Sequence, residues 1–263
     1  MNPATIDSRS LQGRYKSISK EFDLWAPKFH TIITGLMKRY FDVKYDDLVE
    51  RMVGIIATPT TSKVLEIGVG TGLVASAIAR NLEPDGARMC GIDVTQAMLD
   101  KAGENIRKFG LEDRMEVRFG ADQSIPYGDG EFDVVYTHLC FHHFHTRKSF
   151  KEIMRVLKPG GRFVTIDLGA LEVWRTLRGR LYYNCLARMR YLTTPNLRDE
   201  FFAKYYTRAE WDDLLAAYPF KKISIEDISK CTGRITRENI LNIIKYKSMG
   251  TPPLWLIQAE YNP

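Results

Sequence analysis

The stretch V-L-E-I-G-V-G-T-G, from Val64 to Gly72, decides how this chain is expected to fold. A short apolar run ends in three glycines at alternate positions, and the helix-forming sequence Leu73-Val74-Ala75 follows directly. This order predicts a buried strand, a tight turn and a helix, an arrangement in which glycines let a ligand approach the backbone closely. The turn lacks both the third glycine of G-x-G-x-x-G and the lysine of a phosphate-binding loop. It therefore favours an adenosine ligand without a pyrophosphate.

Short apolar runs alternate with helical stretches on both sides of this turn. Strands are predicted at Lys63–Ile67, Arg88–Ile92, Met115–Phe119, Phe132–Thr137 and Arg162–Ile166, and later at Lys221–Ile228 and Leu254–Tyr261. Helices are predicted at Gly72–Leu82, Thr95–Phe109, Thr146–Leu157 and Thr207–Ala217. Because a parallel neighbour is reached only through a crossover, this alternation implies a sheet covered on both faces. The predicted fold class is α/β, with a doubly wound, seven-stranded, mostly parallel sheet.

Two helical segments accompany the predicted core. Residues 1–58 are expected to form an N-terminal cap, because apolar residues recur there at three- and four-residue spacing with a break near Pro27. Residues 171–206 are expected to form a basic, aromatic lid inserted into the core. The cofactor-binding α/β core then covers residues 59–170, and residues 207–263 complete it.

Length and composition exclude several classes of protein. With 263 residues, of which 44% are hydrophobic and 27% charged, the chain is typical of a globular protein rather than a disordered one. The four cysteines are far apart, so neither a disulfide framework nor a structural zinc site is predicted, and a reducing compartment fits best. No apolar run approaches the ~20 residues that span a bilayer, and no signal peptide is apparent. A cytoplasmic protein without a transmembrane segment is expected.

Most of the net charge of +6 lies in one segment, residues 172–208. The basic residues there are Arg175, Arg178, Arg180, Arg188, Arg190, Arg198, Lys204 and Arg208, against the acidic Glu172, Asp199 and Glu200. A solvated lid face explains this charge most simply. Three other interpretations stay open: arginines that hold an anionic substrate, peripheral contact with an anionic membrane, and phosphate contacts with RNA. The aromatic residues of the segment suit an apolar, ring-shaped or prenylated substrate.

Two aspartates support the adenosine interpretation. Asp93 ends the second predicted strand, about 20 residues after the glycine turn, where adenosine-binding folds place an acid for the ribose hydroxyls. Asp122 ends the third strand before a turn, so it is well placed to accept from an adenine amino group. Each aspartate alone could be a helix cap or a turn residue. Together with the glycines they predict contact with a cofactor.

Four of the five histidines lie close together, namely His138, His142, His143 and His145. They follow the fourth predicted strand and so border the crevice where such sheets bind ligands. An imidazole there could remove a proton from a substrate hydroxyl, amine or activated carbon. His143 is the first candidate for this catalytic base and His138 the second. The other interpretation is a structural role in hydrogen bonding, and the spacing fits no familiar zinc site, so no metal is predicted.

Taken in order, these motifs resemble the class I S-adenosylmethionine-dependent methyltransferases. The resemblance covers roughly residues 15–170 and rests on E-x-G-x-G-x-G at Glu66–Gly72, Asp93, Asp122, F-D-V-V at Phe132–Val135 and L-K-P-G-G at Leu157–Gly161. It implies a Rossmann-like fold that binds S-adenosyl-L-methionine. The cofactor-binding positions that it implies are Glu66, Gly68, Gly70, Gly72, Asp93, Val94, Met98, Asp122 and Gln123. In this family the glycines lie beside the methionyl part, Asp93 holds the ribose, Val94 and Met98 pack on adenine, and Asp122 meets its amine.

Within that family, the order of segments, including I-S-K-E-F-D at Ile18–Asp23, is most similar to the C-methyltransferases of ubiquinone and menaquinone synthesis and their natural-product relatives. One departure is Leu139–Phe144, which stands where the quinone enzymes carry F-G-x-R-N. The resemblance implies methylation of a small molecule in secondary or quinone-like biosynthesis, with nucleic acid not the expected partner. Two alternatives remain: an RNA methyltransferase, which a pI of about 9.0 favours, and a cyclase or other module that binds the cofactor without methylating.

Overall fold

The frame of the molecule is a sheet flanked by helices, seen in a computed structural model that describes residues 22–171, 204–230 and 252–263. The helices are α1 (Phe29–Phe41), α2 (Tyr45–Ile56), α3 (Leu73–Asn81), α4 (Gln96–Phe109), α5 (Thr146–Val156) and α6 (Arg208–Ala216). Two short 3-10 helices lie at Ala26–Lys28 and Phe141–His143. The strands are β1 (Lys63–Ile67), β2 (Arg88–Asp93), β3 (Met115–Phe119), β4 (Phe132–His138), β5 (Leu157–Leu168), β6 (Phe220–Asp227) and β7 (Leu254–Tyr261).

The seven strands described form one sheet in the order β3-β2-β1-β4-β5-β7-β6. Strands β1 to β5 are parallel, and β7 runs antiparallel to both of its neighbours. The predicted fold class is therefore confirmed. The strand order reverses direction between β1 and β4, and in open α/β sheets ligands bind beyond the carboxyl ends of the strands at such a switch point.

Apolar clusters cover both faces of the sheet. On one face lie the N-terminal helices, and α2 turns Tyr45, Leu48, Met52 and Ile56 inward, each 4% exposed or less. These residues recur at the three- and four-residue spacing that predicts a helix here, and Pro27 lies in the short 3-10 helix that interrupts the region. The N-terminal helices therefore cover the sheet, and the residues just before α1 reach the switch point.

Helix α6 begins with a reciprocal cap that the sequence T-R-A-E predicts. The Thr207 hydroxyl accepts from Glu210 N at 3.2 Å, and the Glu210 carboxylate accepts from Thr207 N at 3.0 Å. Replacing Thr207 with alanine is expected to lower the free energy of unfolding by about 1 kcal/mol, because a helix-end N–H loses its acceptor. Urea unfolding measures this loss. Glu210→Gln, which keeps an acceptor oxygen, is the matched variant. An equal decrease in the free energy of unfolding of both variants would contradict the cap.

Two regions differ from the predicted layout or lie beyond it. The sequence predicts a helix stop and turn at L-K-P-G-G before a strand at Arg162, whereas β5 already begins at Leu157, which pairs with Phe132. A register shift between Phe132 and Val134 accommodates the early start, so the motif forms an irregular first part of the strand. The predicted lid, residues 171–206, lies outside the described residues except at its two ends. No helix among the described residues is long and apolar enough to cross a bilayer.

Candidate active site

The glycine turn, Gly68–Gly72, joins β1 to α3 at the carboxyl edge of the sheet. Gly68, Gly70 and Gly72 have φ angles of +80°, +51° and +72°, a left-handed backbone that side chains with a Cβ atom rarely adopt. Gly68 N and Val69 N both donate to Ile92 O, at 2.8 and 2.9 Å, which ties the turn to the end of β2. The glycines thus let the backbone fold tightly beside the switch point.

Gly68 is also enclosed sterically, because a Cβ atom built on it would lie 2.3 Å from Cys140 Sγ. Gly68→Ala is therefore expected to lower the free energy of unfolding by roughly 2 to 4 kcal/mol, from backbone strain and overpacking together. Gly86→Ala is the matched control, since Gly86 has a φ of +72° and a Cβ atom there would have nothing within 4 Å. That variant should lose only about 1 kcal/mol. Equal losses in urea unfolding would show that the contact with Cys140 is unimportant.

Asp93 lies at the end of β2 and faces the glycine turn. Its Oδ2 accepts from Gly70 N at 2.9 Å, and its Oδ1 accepts from Thr95 N at 2.9 Å. Burial raises the pKa of the Asp93 carboxyl, and these backbone hydrogen bonds oppose the rise. The sequence predicts a ligand-binding role for Asp93, with a helix cap or a turn residue as the alternative. In the structure this carboxylate also holds the turn in place.

Asp122 follows β3 and is 3% exposed. Its Oδ2 accepts from Ser149 Oγ and, at 3.3 Å, from His145 N, so it fastens the start of α5. The two oxygens of a carboxylate together carry about four acceptor positions. The helix-cap interpretation and the ligand-binding interpretation of Asp122 are therefore compatible.

One cleft of about 680 Å³ opens at the carboxyl ends of β1 to β4. Its first wall, called the polar wall because it carries both carboxylates, consists of Ile67, Gly68, Gly70, Asp93, Val94, Thr95, Met98, Gly120 and Asp122. Its second wall consists of Phe22, Phe29, His138, Leu139, Cys140, His143 and Phe144. The structure thus brings together eight of the predicted site residues: Gly68, Gly70, Asp93, Val94, Met98, Asp122, His138 and His143.

Three predicted cofactor-binding residues do not line this cleft. Glu66 is 2% exposed and accepts from the Tyr136 hydroxyl at 2.6 Å, and burial raises its pKa well above the usual range. Gly72 packs closely against α4, where a Cβ atom would lie 3.1 Å from Ala102 Cβ. Gln123 follows Asp122 outside the lining. Contacts of these three residues with a cofactor remain predictions.

The polar wall fits the predicted cofactor chemically. Two carboxylates line it, and no lysine or arginine does so among the residues that the structure describes. Such a wall favours a ligand with hydroxyl and amino donors and a positive charge, as S-adenosylmethionine has. Val94 and Met98 offer apolar surface for a purine ring. Asp93 and Asp122 would hold the adenosine.

His138 ends β4 as a buried, neutral imidazole. It is 8% exposed, and neither ring nitrogen has a hydrogen-bond partner among the described residues. Burial lowers the pKa of His138 to about 4, so the ring is uncharged near neutral pH and accepts protons poorly. Leu139 follows with a φ of +52°, an uncommon conformation that turns the chain at the end of the strand. His138 is therefore better suited to a neutral hydrogen bond with a ligand than to proton removal.

A buried pair that the sequence did not predict lies behind His143. His142 Nδ1 is 2.6 Å from Asp167 Oδ1, and Asp167 is 1% exposed near the carboxyl end of β5. The His142 ring lies 4.1 Å from the His143 ring and stacks on Tyr205 at 5.2 Å, measured between centroids. The pair forms only because β4 and β5 are neighbours in the sheet. The sequence signal that could have indicated this pair is Asp167 itself, an acidic residue directly after the predicted fifth strand.

Comparison with known proteins agrees with this geometry. Residues 65–165 match the family model described as a methyltransferase domain. The chain is 36% identical over 113 residues to an uncharacterized methyltransferase, YcgJ, of Bacillus subtilis (strain 168), covering 42% of each chain. It is 27% identical over 183 residues to the demethylmenaquinone methyltransferase of Lactobacillus johnsonii, covering 65% of this chain and 72% of that one. The matches to the first curated relatives span 34% to 42% of those proteins.

Solved structures share the fold. The [4+2]-cyclase SpnF superposes with a TM-score of 0.67 at 18% identity, over 94% of this chain and 97% of that one. Geranyl diphosphate C-methyltransferase from Streptomyces coelicolor A3(2), solved with S-adenosyl-L-homocysteine, gives 0.61 at 18% identity, over 82% of this chain and 78% of that one. Residues 65–165 of this chain therefore match a methyltransferase domain, and the solved structures share its fold.

Proposed function

We propose that this protein transfers a methyl group from S-adenosylmethionine to a small, largely apolar molecule. The observation that supports this most directly is the composition of the cleft, in which two carboxylates and three phenylalanines border one space. Methyl transfer requires the two reactants to lie in line and in contact. A single cleft with one wall suited to each reactant meets that requirement.

The apolar wall, formed by Phe22, Phe29, Leu139 and Phe144, supports an apolar or ring-shaped substrate. The Phe22 ring stands edge-on to the His143 ring, with centroids 6.2 Å apart. Among the described residues, this wall contains no lysine or arginine that could pair with an anionic group of a substrate.

Two basic residues at the described end of the basic segment, residues 172–208, have partners of their own. Lys204 Nζ lies over the Tyr206 ring at 4.4 Å from its centroid. Arg208 pairs with Asp212 at 3.1 Å and donates to Ile225 O at 2.9 Å, on the side of β6. Neither residue lines the described cleft.

Each part of the cleft has a task in the proposed reaction. When bound, the cofactor supplies an electrophilic methyl group on a sulfonium sulfur. Asp93 and the glycine turn orient it, and the apolar wall orients the acceptor and excludes water. His143, which lines the same cleft, accepts the proton that the acceptor releases.

Isotope transfer tests the proposal. The protein is incubated with methyl-labelled S-adenosylmethionine and a fractionated extract of the source organism, and small molecules and RNA are analysed separately by mass spectrometry. Label in a low-mass apolar compound, lost with an Asp93→Ala variant, is the expected result. Label in RNA would contradict the proposed substrate class in favour of an RNA methyltransferase. Cofactor binding without S-adenosylhomocysteine formation in any fraction would contradict methylation and favour the non-methylating alternative.

A further inference from the structure

The geometry of the Asp167–His142 pair fixes the state of the His142 ring. Asp167 is 1% exposed, and its Oδ2 has no hydrogen-bond partner among the described residues. A buried carboxylate is costly unless it is hydrogen-bonded, so the proton of the pair is best placed on His142 Nδ1, donated to Asp167 Oδ1 at 2.6 Å. His142 then carries its lone pair on Nε2 when neutral.

His142 stands behind His143 rather than in the cleft. It is 6% exposed and does not line the cleft, whereas His143 does. Three contacts hold it: Asp167 through Nδ1, the stacked Tyr205 ring, and Lys204 N, which donates to His142 O at 2.7 Å. The His143 ring, 4.1 Å away between centroids, therefore packs against a ring that cannot turn freely.

The charged groups around His142 and His143 are mainly acidic. Asp167 belongs to β5, while Asp93 and Asp122 approach from β2 and from the segment after β3; the neutral His138 lies on β4. Burial raises the pKa of Cys140 well above its usual range, and the negative charges of Asp93, Asp167 and Asp122 raise it further. The charge of Asp167 therefore reaches Cys140, which lines the cleft. Lys204, whose ammonium lies over the Tyr206 ring, is the cationic residue on the other side.

We propose that Asp167 and His142 are positioning residues, which hold His143 at the cleft wall and favour its protonated form during the reaction. This role rests on the proposed function above. In that reaction the acceptor's electron pair forms the bond to the methyl carbon, and the carbon–sulfur bond breaks with its pair remaining on sulfur. The proton released by the acceptor moves to a ring nitrogen of His143. A hydroxyl or an acidic carbon is the acceptor that gains from such a base.

Removing the charge of Asp167 has a predictable sign. The protonated His143 ring loses a nearby negative charge in Asp167→Asn, so its pKa is expected to fall by about one pH unit. The acid limb of kcat/KM against pH should move to lower pH by the same amount, while the plateau rate falls. A purely structural role would lower the rate without moving the limb.

NMR titration of the histidine side chains, with S-adenosylhomocysteine bound, measures the shift without any substrate. The chain has five histidines, and a His143→Gln variant assigns the His143 signal. Asp167→Ser, which keeps a hydrogen-bonding oxygen without the charge, is the second variant in case the first folds poorly. Thr165→Val is the matched control, because Thr165 lies on β5 like Asp167 and forms an uncharged, buried hydrogen bond to Thr137 at 2.8 Å.

A His143 pKa that falls in both Asp167 variants and stays constant in Thr165→Val is the expected result. An unchanged His143 titration in the folded Asp167 variants would overturn the positioning role, whatever their activity. Absence of methyl transfer by the wild-type protein, with the titration shift present, would contradict the proposed function and leave the positioning of His143 intact. The two failures are therefore distinguishable.

Discussion

Replacing His143 with alanine is expected to slow methyl transfer by a factor of roughly 100 to 10,000. The variant loses an imidazole that lines the described cleft, and the other lining imidazole, His138, accepts protons poorly because burial lowers its pKa to about 4. Affinity for S-adenosylhomocysteine should change by less than about threefold, because the carboxylates that would hold it, Asp93 and Asp122, are unchanged in the variant.

Single-turnover kinetics at saturating cofactor separates this effect from binding and from product release. His30→Ala is the matched control, because His30 is an exposed histidine on α1 that does not line the cleft. It should retain the wild-type rate. Wild-type turnover by His143→Ala would exclude His143 as the base and would leave the Asp167–His142 pair without its proposed role.

Replacing Asp93 with alanine is expected to weaken S-adenosylhomocysteine binding about 100-fold. Two hydrogen bonds from ribose hydroxyls to a carboxylate contribute roughly 3 kcal/mol together, which corresponds to about two powers of ten in affinity. The substitution also removes the acceptors of Gly70 N and Thr95 N, so the glycine turn loses part of its support. Both effects act in the same direction on binding.

Calorimetry at a temperature well below the unfolding transition measures this affinity. The free energy of unfolding should fall by about 1 to 3 kcal/mol in Asp93→Ala, since two part-buried N–H groups lose their acceptors. Asp100→Ala is the matched control, because Asp100 is an exposed residue of α4 bonded to Gln96. Unchanged affinity in a folded Asp93→Ala protein would contradict the assignment of the cofactor site.

Local sequence was sufficient to predict the fold class and the polar wall of the cleft. The bounds of β1, β3 and β7 agree with the apolar runs that predicted them, because each run is short and bordered by turn residues or helix starts. Gly68, Gly70 and Asp93 meet because they end adjacent parallel strands, which strand order alone implies.

The remaining features depend on contacts between distant parts of the chain. Asp167 reaches His142 only when β5 lies beside β4, and His142 is held from behind by residues at the C-terminal end of the predicted lid. Neither contact leaves a periodic or spaced signal in the sequence. Glu66 illustrates the opposite case, since its motif position is conspicuous but its side chain is bonded to Tyr136 away from the cleft.

The position of β7 also determines when the active site is completed during synthesis. This strand comes last along the described chain, yet it lies between β5 and β6, and Trp255 pairs in register with Asp167. As the ribosome releases the chain, β1 to β5 emerge first, and β5 presents an open edge until residues 254–261 follow. An open strand edge invites pairing with other chains. The strands that carry Asp93 and the glycine turn are thus released early, whereas Asp167, which bonds to His142, lies on the edge that β7 closes last among the described strands.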